Sequence, residues 1–265
     1  MITIFTPTYN RAYILPKLYE SLCAQTDKNF EWLVVDDGST DETYDLLKKW
    51  QVENKIVINV IHRENGGKST AINLGVQNAK GRLFFIVDSD DFLTINADET
   101  IINNEIKSVG QKTKIPIAGY CYRRQNYRTN EIISSTSMTL PETASSLQLA
   151  FKYKVIGDKA EVFYTDILKK FPFPDLTRNK FIPEALVWYR IANAGYQLIL
   201  KEDTIYQCDY IEDGYTKNFM KNLKKNSKGF ALFYKECLSY NEIPFFIKVK
   251  YFIRLCQCRF YEVKK

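Results

Sequence analysis

Apolar runs and amphipathic stretches alternate along residues 1–100 with the two periods that separate strand from helix. Residues 1–5 predict a first strand, and residues 12–24 a helix with apolar Ile14, Leu15, Leu18 and Leu22 on one face. Residues 31–36 predict a second, buried strand. Gly38-Ser39-Thr40 then makes a turn, and Thr40 or Asp41 caps a helix that runs to about Trp50. Residues 56–61 predict a third strand, 69–79 a third helix and 82–87 a fourth, almost wholly apolar strand. Such spacing implies βαβ units, hence a mainly parallel sheet with helices on both faces.

In sheets of this kind ligands bind beyond the carboxyl ends of the strands. The polar residues cluster there. Thr6-Pro7-Thr8-Tyr9-Asn10 follows the first strand and Asp36-Asp37-Gly38-Ser39 the second. Arg63-Glu64-Asn65-Gly66-Gly67-Lys68 follows the third, and Asp88-Ser89-Asp90-Asp91 the fourth. Four separate segments deliver polar groups to one edge.

The second half is less regular. Residues 115–123 and 132–135 predict strands, 145–151 a short helix, and Phe171-Pro172-Phe173-Pro174 a break. A helix is expected over 183–194, returning strands over 198–200 and 205–210, and amphipathic helix from Thr216 onward. Neither repeats nor a low-complexity linker interrupts the chain.

Composition changes this picture little. The 265 residues are 45% hydrophobic and 26% charged, ordinary for a globular domain. No basic segment with a long apolar stretch opens the chain, and no apolar run reaches the ~18 residues of a membrane span. A cytoplasmic protein is the expectation. Six scattered cysteines form no C-x-x-C pair and His62 is the only histidine, which excludes the usual zinc sets and predicts free, mostly buried thiols. The net charge of +6 is local: residues 217–265 carry twelve Lys/Arg against three acids, and the rest is slightly acidic.

The candidate chemistry centres on Asp88-Ser89-Asp90. An i, i+2 pair at a strand end points two carboxylates the same way, and their repulsion is relieved by a hard cation such as Mg²⁺ or Mn²⁺. A solvated acidic loop capping the next helix is the alternative, and the position after the fourth strand favours the cation. Asp36-Asp37 can hydrogen-bond a base or ribose; a turn at Gly38 with Asp41 capping the helix is the alternative, which accounts for the glycine but not for both aspartates. Tyr9 offers a flat face to a nucleobase or to the core, and Thr6 a hydroxyl. Gly66-Gly67-Lys68-Ser69-Thr70 invites comparison with a phosphate loop, but His62 stands where that loop needs its first glycine, and Glu64 would face the phosphate. The phosphate loop is rejected; Lys68, at the helix start, is still expected to contact the donor. His62 reads as structural.

Thr6-Pro7-Thr8-Tyr9-Asn10-Arg11, Val34 to Asp41, Asn65-Gly66-Gly67 with Ala71 and Asn73, and Asp88 to Asp91 together resemble the family 2 glycosyltransferases in order and spacing. The resemblance implies a GT-A fold, a nucleotide-sugar donor, usually UDP-linked, and inverting transfer assisted by Mn²⁺ or Mg²⁺. It places Thr6, Tyr9 and Asp37 at the base and ribose, Asp88 and Ser89 beside ribose and sugar, and Asp90, with Asp88, at the metal. It also places a carboxylate base at a later helix start. Glu184 in Phe181-Ile182-Pro183-Glu184-Ala185 takes that role, with alanine where the family usually has aspartate. A charge offsetting the helix dipole is the plainer account of Glu184. Asp158 is a second candidate for a carboxylate near the sugar, and Gly157-Asp158-Lys159-Ala160-Glu161 with Phe181 to Arg190 resembles a subgroup acting in bacterial surface polysaccharide synthesis.

These readings give a GT-A catalytic domain over 1–212, with a nucleotide-binding half (1–100) and an acceptor half (101–212), and a basic, aromatic helical extension over 213–265. The expected partners are a nucleotide sugar and a glycan or polyprenyl-linked acceptor, with no nucleic acid. The extension either packs on the domain with its lysines in water or lies on an anionic membrane at the inner face of the cell. Two other classes compete: a non-catalytic nucleotide-sugar-binding relative, and a nucleotidyltransferase, which should carry a Gly-rich basic signature absent from Thr6 to Arg11.

Overall fold

The computed structural model describes residues 1–108, 115–176, 181–208 and 219–263. Four parallel strands, β1 (Ile2–Thr8), β2 (Phe30–Asp36), β3 (Ile58–His62) and β4 (Leu83–Ile86), form the first half of a nine-stranded sheet. Their connections are the helices α1 (Leu15–Cys23), α2 (Thr43–Glu53) and α3 (Lys68–Asn78). The predicted βαβ units of residues 1–86 are all present.

The other half is mixed. β5 (Asp91–Leu93), α4 (Ala97–Ser108), β6 (Ile117–Asn126), β7 (Thr143–Ala144), β8 (Ala160–Tyr164), α5 (Thr165–Lys170), α6 (Ala185–Asn193) and β9 (Gln197–Cys208) follow in sequence. β8 runs antiparallel between β4 and β6, while β6 and β9 are parallel. The strand order is β3-β2-β1-β4-β8-β6-β9-β5, with β7 on β9. Parallel pairing is thus confined to β1–β4 and to β6 with β9. Residues 132–135 form no strand: only Ile132 and Ser135 make isolated bridges. The two strands expected over 198–210 are one, β9, up to Cys208; residues 209 and 210 lie outside the described residues.

Each face of the sheet has its own core. Leu15, Leu18, Leu47, Trp50 and Ile101 of α1, α2 and α4 pack on Trp32, Val34 and Phe85. On the opposite face, Ile72, Leu168, Leu186 and Val187 of α3, α5 and α6 pack on Phe5, Leu33 and Phe163. Helices α7 (Phe219–Lys225), α8 (Ser227–Cys237) and α9 (Phe245–Val263) extend this second layer. α8 docks on α6 through Tyr189 against Phe233 and a bidentate Arg190–Glu236 pair at 2.6 and 2.9 Å. α9 in turn lies on α8, with the Tyr251 ring 5.2 Å from that of Tyr234 and tilted 43° to it. The boundary drawn at 212/213 lies outside the described residues. Among the described residues, no helix is long and apolar enough to cross a membrane.

Candidate active site

The four polar segments meet at one end of the parallel strands and are laced together. The Asp37 amide donates to the Thr8 carbonyl at 2.9 Å, the Asn10 amide to Ser39 Oγ at 2.9 Å, and the Arg11 amide to Thr43 Oγ1 at 2.8 Å. Asn10 adopts a left-handed conformation (φ 53°), and its side-chain oxygen accepts from the Thr40 amide at 2.8 Å. Asp36, fully buried, joins the ends of β2 and β3 through His62 Nδ1 at 2.7 Å. His62 is structural, as expected.

Asp37 is tied into the loop before α3. Its carboxylate is 5% exposed and accepts from Arg63 Nε at 2.7 Å, the Gly66 amide at 3.0 Å and the Gly67 amide at 2.7 Å. The start of α3 therefore presents its free amides to a carboxylate of this chain, not to a phosphate, which is the physical reason the glycine pair is no phosphate loop. Asp37 clamps the loop before α3. The Thr6 hydroxyl is fully buried and accepts the Trp32 indole N–H at 3.0 Å, because even-numbered residues of β1 face the core beneath α1 and α2. Tyr9 stands beyond β1 with its ring half-exposed.

Lys68, the first residue of α3, unites the remaining candidates. Its ammonium lies 2.6 Å from Asp88 Oδ1 and 2.7 Å from Glu184 Oε1, each of the three side chains about a third exposed. Burial works against charge on both Lys68 and Asp88, but their attraction prevails: Lys68 is pushed well above its ordinary value and Asp88 is held below its own. Glu184 occupies the position just before α6. The approach of α6 to α3 is fixed by two further contacts. Ser69 Oγ accepts the Ile182 amide at 3.0 Å, and Asn73 exchanges two 2.8 Å hydrogen bonds with the Phe173 backbone.

Asp88, Ser89, Asp90 and Asp91 form a tight turn in which the Asp91 amide donates to the Asp88 carbonyl at 3.1 Å. Ser89 is buried. Burial and the Asp88 charge raise Asp90, and burial, Asp88 and Asp90 push Asp91 up to about 7 against the pull of Arg124. Tyr206, on β9, braces the turn: its hydroxyl donates to Asp91 Oδ2 at 2.8 Å and accepts the Asp88 amide at 3.0 Å. Arg124 stacks 3.8 Å above the Tyr206 ring and donates to the Lys159 carbonyl at 2.7 Å. Neither Tyr206 nor Arg124 carries a local sequence signal, since each acts across more than thirty residues.

Crowded acids that repel one another suit a hard divalent ion. Among the described residues, no three His, Cys, Asp or Glu side chains form a cage for an ion. The donor set therefore fits an ion shared between Asp88 or Asp90 and ligand oxygens, the usual arrangement for Mg²⁺ with phosphates. Asp158 is exposed on the turn before β8. The neighbouring Glu161 is raised by burial, with repulsion from Glu184 and Asp158 opposing the pull of Lys159 and Arg124. Arg123, Ser134, Thr136, Lys159 and Leu200 are among the residues lining a cavity of about 410 Å³ between β6, β9 and the segment that covers them.

Comparison with known proteins gives this edge a context. Residues 3–132 match the family model described as glycosyl transferase family 2. Glycosyltransferase GlyG of Streptococcus pneumoniae is 38% identical over 102 residues, 38% of this chain and 34% of that protein. The chain thus spans only about a third of the length of that curated relative. Among solved structures, S. aureus TarS 1–349 in complex with UDP-GlcNAc superposes with a TM-score of 0.63 at 20% identity, covering 99% of this chain and 72% of that one. The mannosyltransferase PcManGT from Pyrobaculum calidifontis, in complex with GDP-Man and Mn²⁺, gives 0.61 at 17% identity, covering 98% and 69%. The fold is GT-A, a mixed α/β sheet between helical layers.

Proposed function

We propose that the protein, whose residues 3–132 match the family model of the family 2 glycosyl transferases, transfers a sugar, with inversion, from a nucleoside diphosphate sugar to a glycan or polyprenyl-linked acceptor. The observation that carries this reading is the Lys68 ammonium held between Asp88 on the donor side and Glu184 on the acceptor side. A displacement needs a cation where the diphosphate leaves and a base where the hydroxyl arrives. This arrangement supplies both within one side chain's reach.

Tyr9 stacks on the nucleobase, and the Asp88-Ser89-Asp90 turn faces ribose, sugar and diphosphate. Asp90, with Asp88, would hold a Mg²⁺ or Mn²⁺, which would supply positive charge against the leaving diphosphate. Lys68 turns its ammonium toward the same charge and releases Glu184. Glu184 then takes the acceptor hydroxyl proton as the oxygen bonds to the anomeric carbon and the bond to the diphosphate oxygen breaks in line. Asp158 borders the sugar, and the cavity beside Lys159 receives the acceptor. A UDP-linked donor is the first to test, and surface polysaccharide, built from the cytoplasmic face of the membrane, is the proposed product.

The experiment is a thermal-shift panel of nucleotide sugars with Mn²⁺, followed by transfer assays with the best binder. A bound donor raises the melting temperature by mass action. Absence of a shift from every nucleotide sugar sinks the proposal.

A further inference from the structure

α9 has two apolar faces, and only one of them is packed. Tyr251, Leu255 and Cys258 turn toward α8. Phe245, Phe246, Val249, Phe252, Ile253 and Val263 turn the other way and are 44% to 88% exposed. At 3.6 residues per turn these six, with exposed Cys256, fall within an arc of roughly 120° that contains no charged residue. A surface helix normally keeps such an arc for the core. Here the arc faces water along a helix roughly 28 Å long.

Charges border the arc on both sides. Lys248 and Arg259 flank one edge and Lys250 the other, where long side chains can stay in a polar layer while the arc goes deeper. The acids Glu242 and Glu262 lie outside it, before the helix and toward its packed side. A second copy of the chain is a poor occupant, because a two-fold interface would set these cation rows against each other. Anionic lipid accepts both the apolar arc and its cationic borders.

From this we infer that α9 is an in-plane membrane helix that binds the protein to an anionic lipid surface through the face opposite α8. The inference is independent of the transfer chemistry. It also resolves the two accounts of the basic extension: α7, α8 and one face of α9 pack on the domain, and the other face of α9 meets lipid.

The test is co-sedimentation of the whole chain with vesicles of phosphatidylcholine alone or mixed with phosphatidylglycerol. Binding is expected on the mixed vesicles, weakening as salt rises. The double substitution Phe252→Asp with Ile253→Asp should reduce it by about tenfold or more, with the donor-induced thermal shift unchanged because both positions are exposed. Phe252→Trp adds a second readout. Trp32, Trp50 and Trp188 are buried, so a blue shift on mixed vesicles reports α9. Equal binding by the double Asp variant, no binding to either vesicle, or self-association abolished by the same variant without lipid binding would each overturn the assignment.

Discussion

Lys68 Nζ lies 2.7 Å from Glu184 Oε1, so the acid proposed as base is ion-paired to the residue that opens α3. In the transfer we propose, the donor diphosphate competes for this ammonium and frees Glu184, so the donor binds first.

Glu184→Gln should lower kcat for transfer by about 10²–10⁴-fold, the usual contribution of a general base, while the donor-induced thermal shift persists. Lys68→Met should weaken donor binding as well as turnover. If Glu184→Gln transfers sugar at the parental rate, another residue deprotonates the acceptor.

Asp90→Asn tests the cation. In the parent, chelation should shrink the thermal shift produced by a donor. The variant should show the chelated value with or without Mn²⁺. A full ion-dependent shift in Asp90→Asn would move the ion to other ligands.

Thr6→Val separates core from site. Loss of its hydroxyl strands the buried Trp32 indole N–H, which costs about 1–3 kcal/mol. Denaturant unfolding should show that loss and donor titration should show none. Weakened donor affinity at unchanged stability would restore Thr6 to the site.

Asp98 gives a pH signature away from the chemistry. The residue is 1% exposed, and burial, aided by Asp27, pushes its carboxyl up to about 7 against the pull of the Asn29 backbone amide. Its folded value exceeds its unfolded one, so the protonated form is favoured in the fold. Stability from this group is full below about pH 4 and lost as pH rises through 7. Asp98→Asn should remove this dependence and add on the order of 1–3 kcal/mol at about pH 8. Melting curves across pH, flat in their difference, would show Asp98 to be solvated.

The βαβ half was legible because its information is local. Val34 and Val35 make a buried strand whatever lies elsewhere, and Leu15, Leu18 and Leu22 mark one helix face. α4 was missed because its buried positions include Asp98 and Glu105, which spoil the apolar stripe. β5 is three residues long and directly follows the acidic turn, so its pattern merges with the site. Lys68, Asp88 and Glu184 were each readable from the sequence. Their meeting was not, since the two carboxylates lie far apart along the chain. Nor were the partners that Thr6 and Asp37 find within the protein, Trp32 and Arg63, because each lies more than twenty residues away.

α3 holds Ile182 through Ser69 and Phe173 through Asn73, while its first residue reaches the Asp88 turn. One short helix therefore acts as a keel between the parallel strands and the segment that leads into α6. In the transfer we propose, loops such as 127–142 can diverge, and with them the taste for one acceptor or another, without retuning the spacing of Asp88 and Glu184.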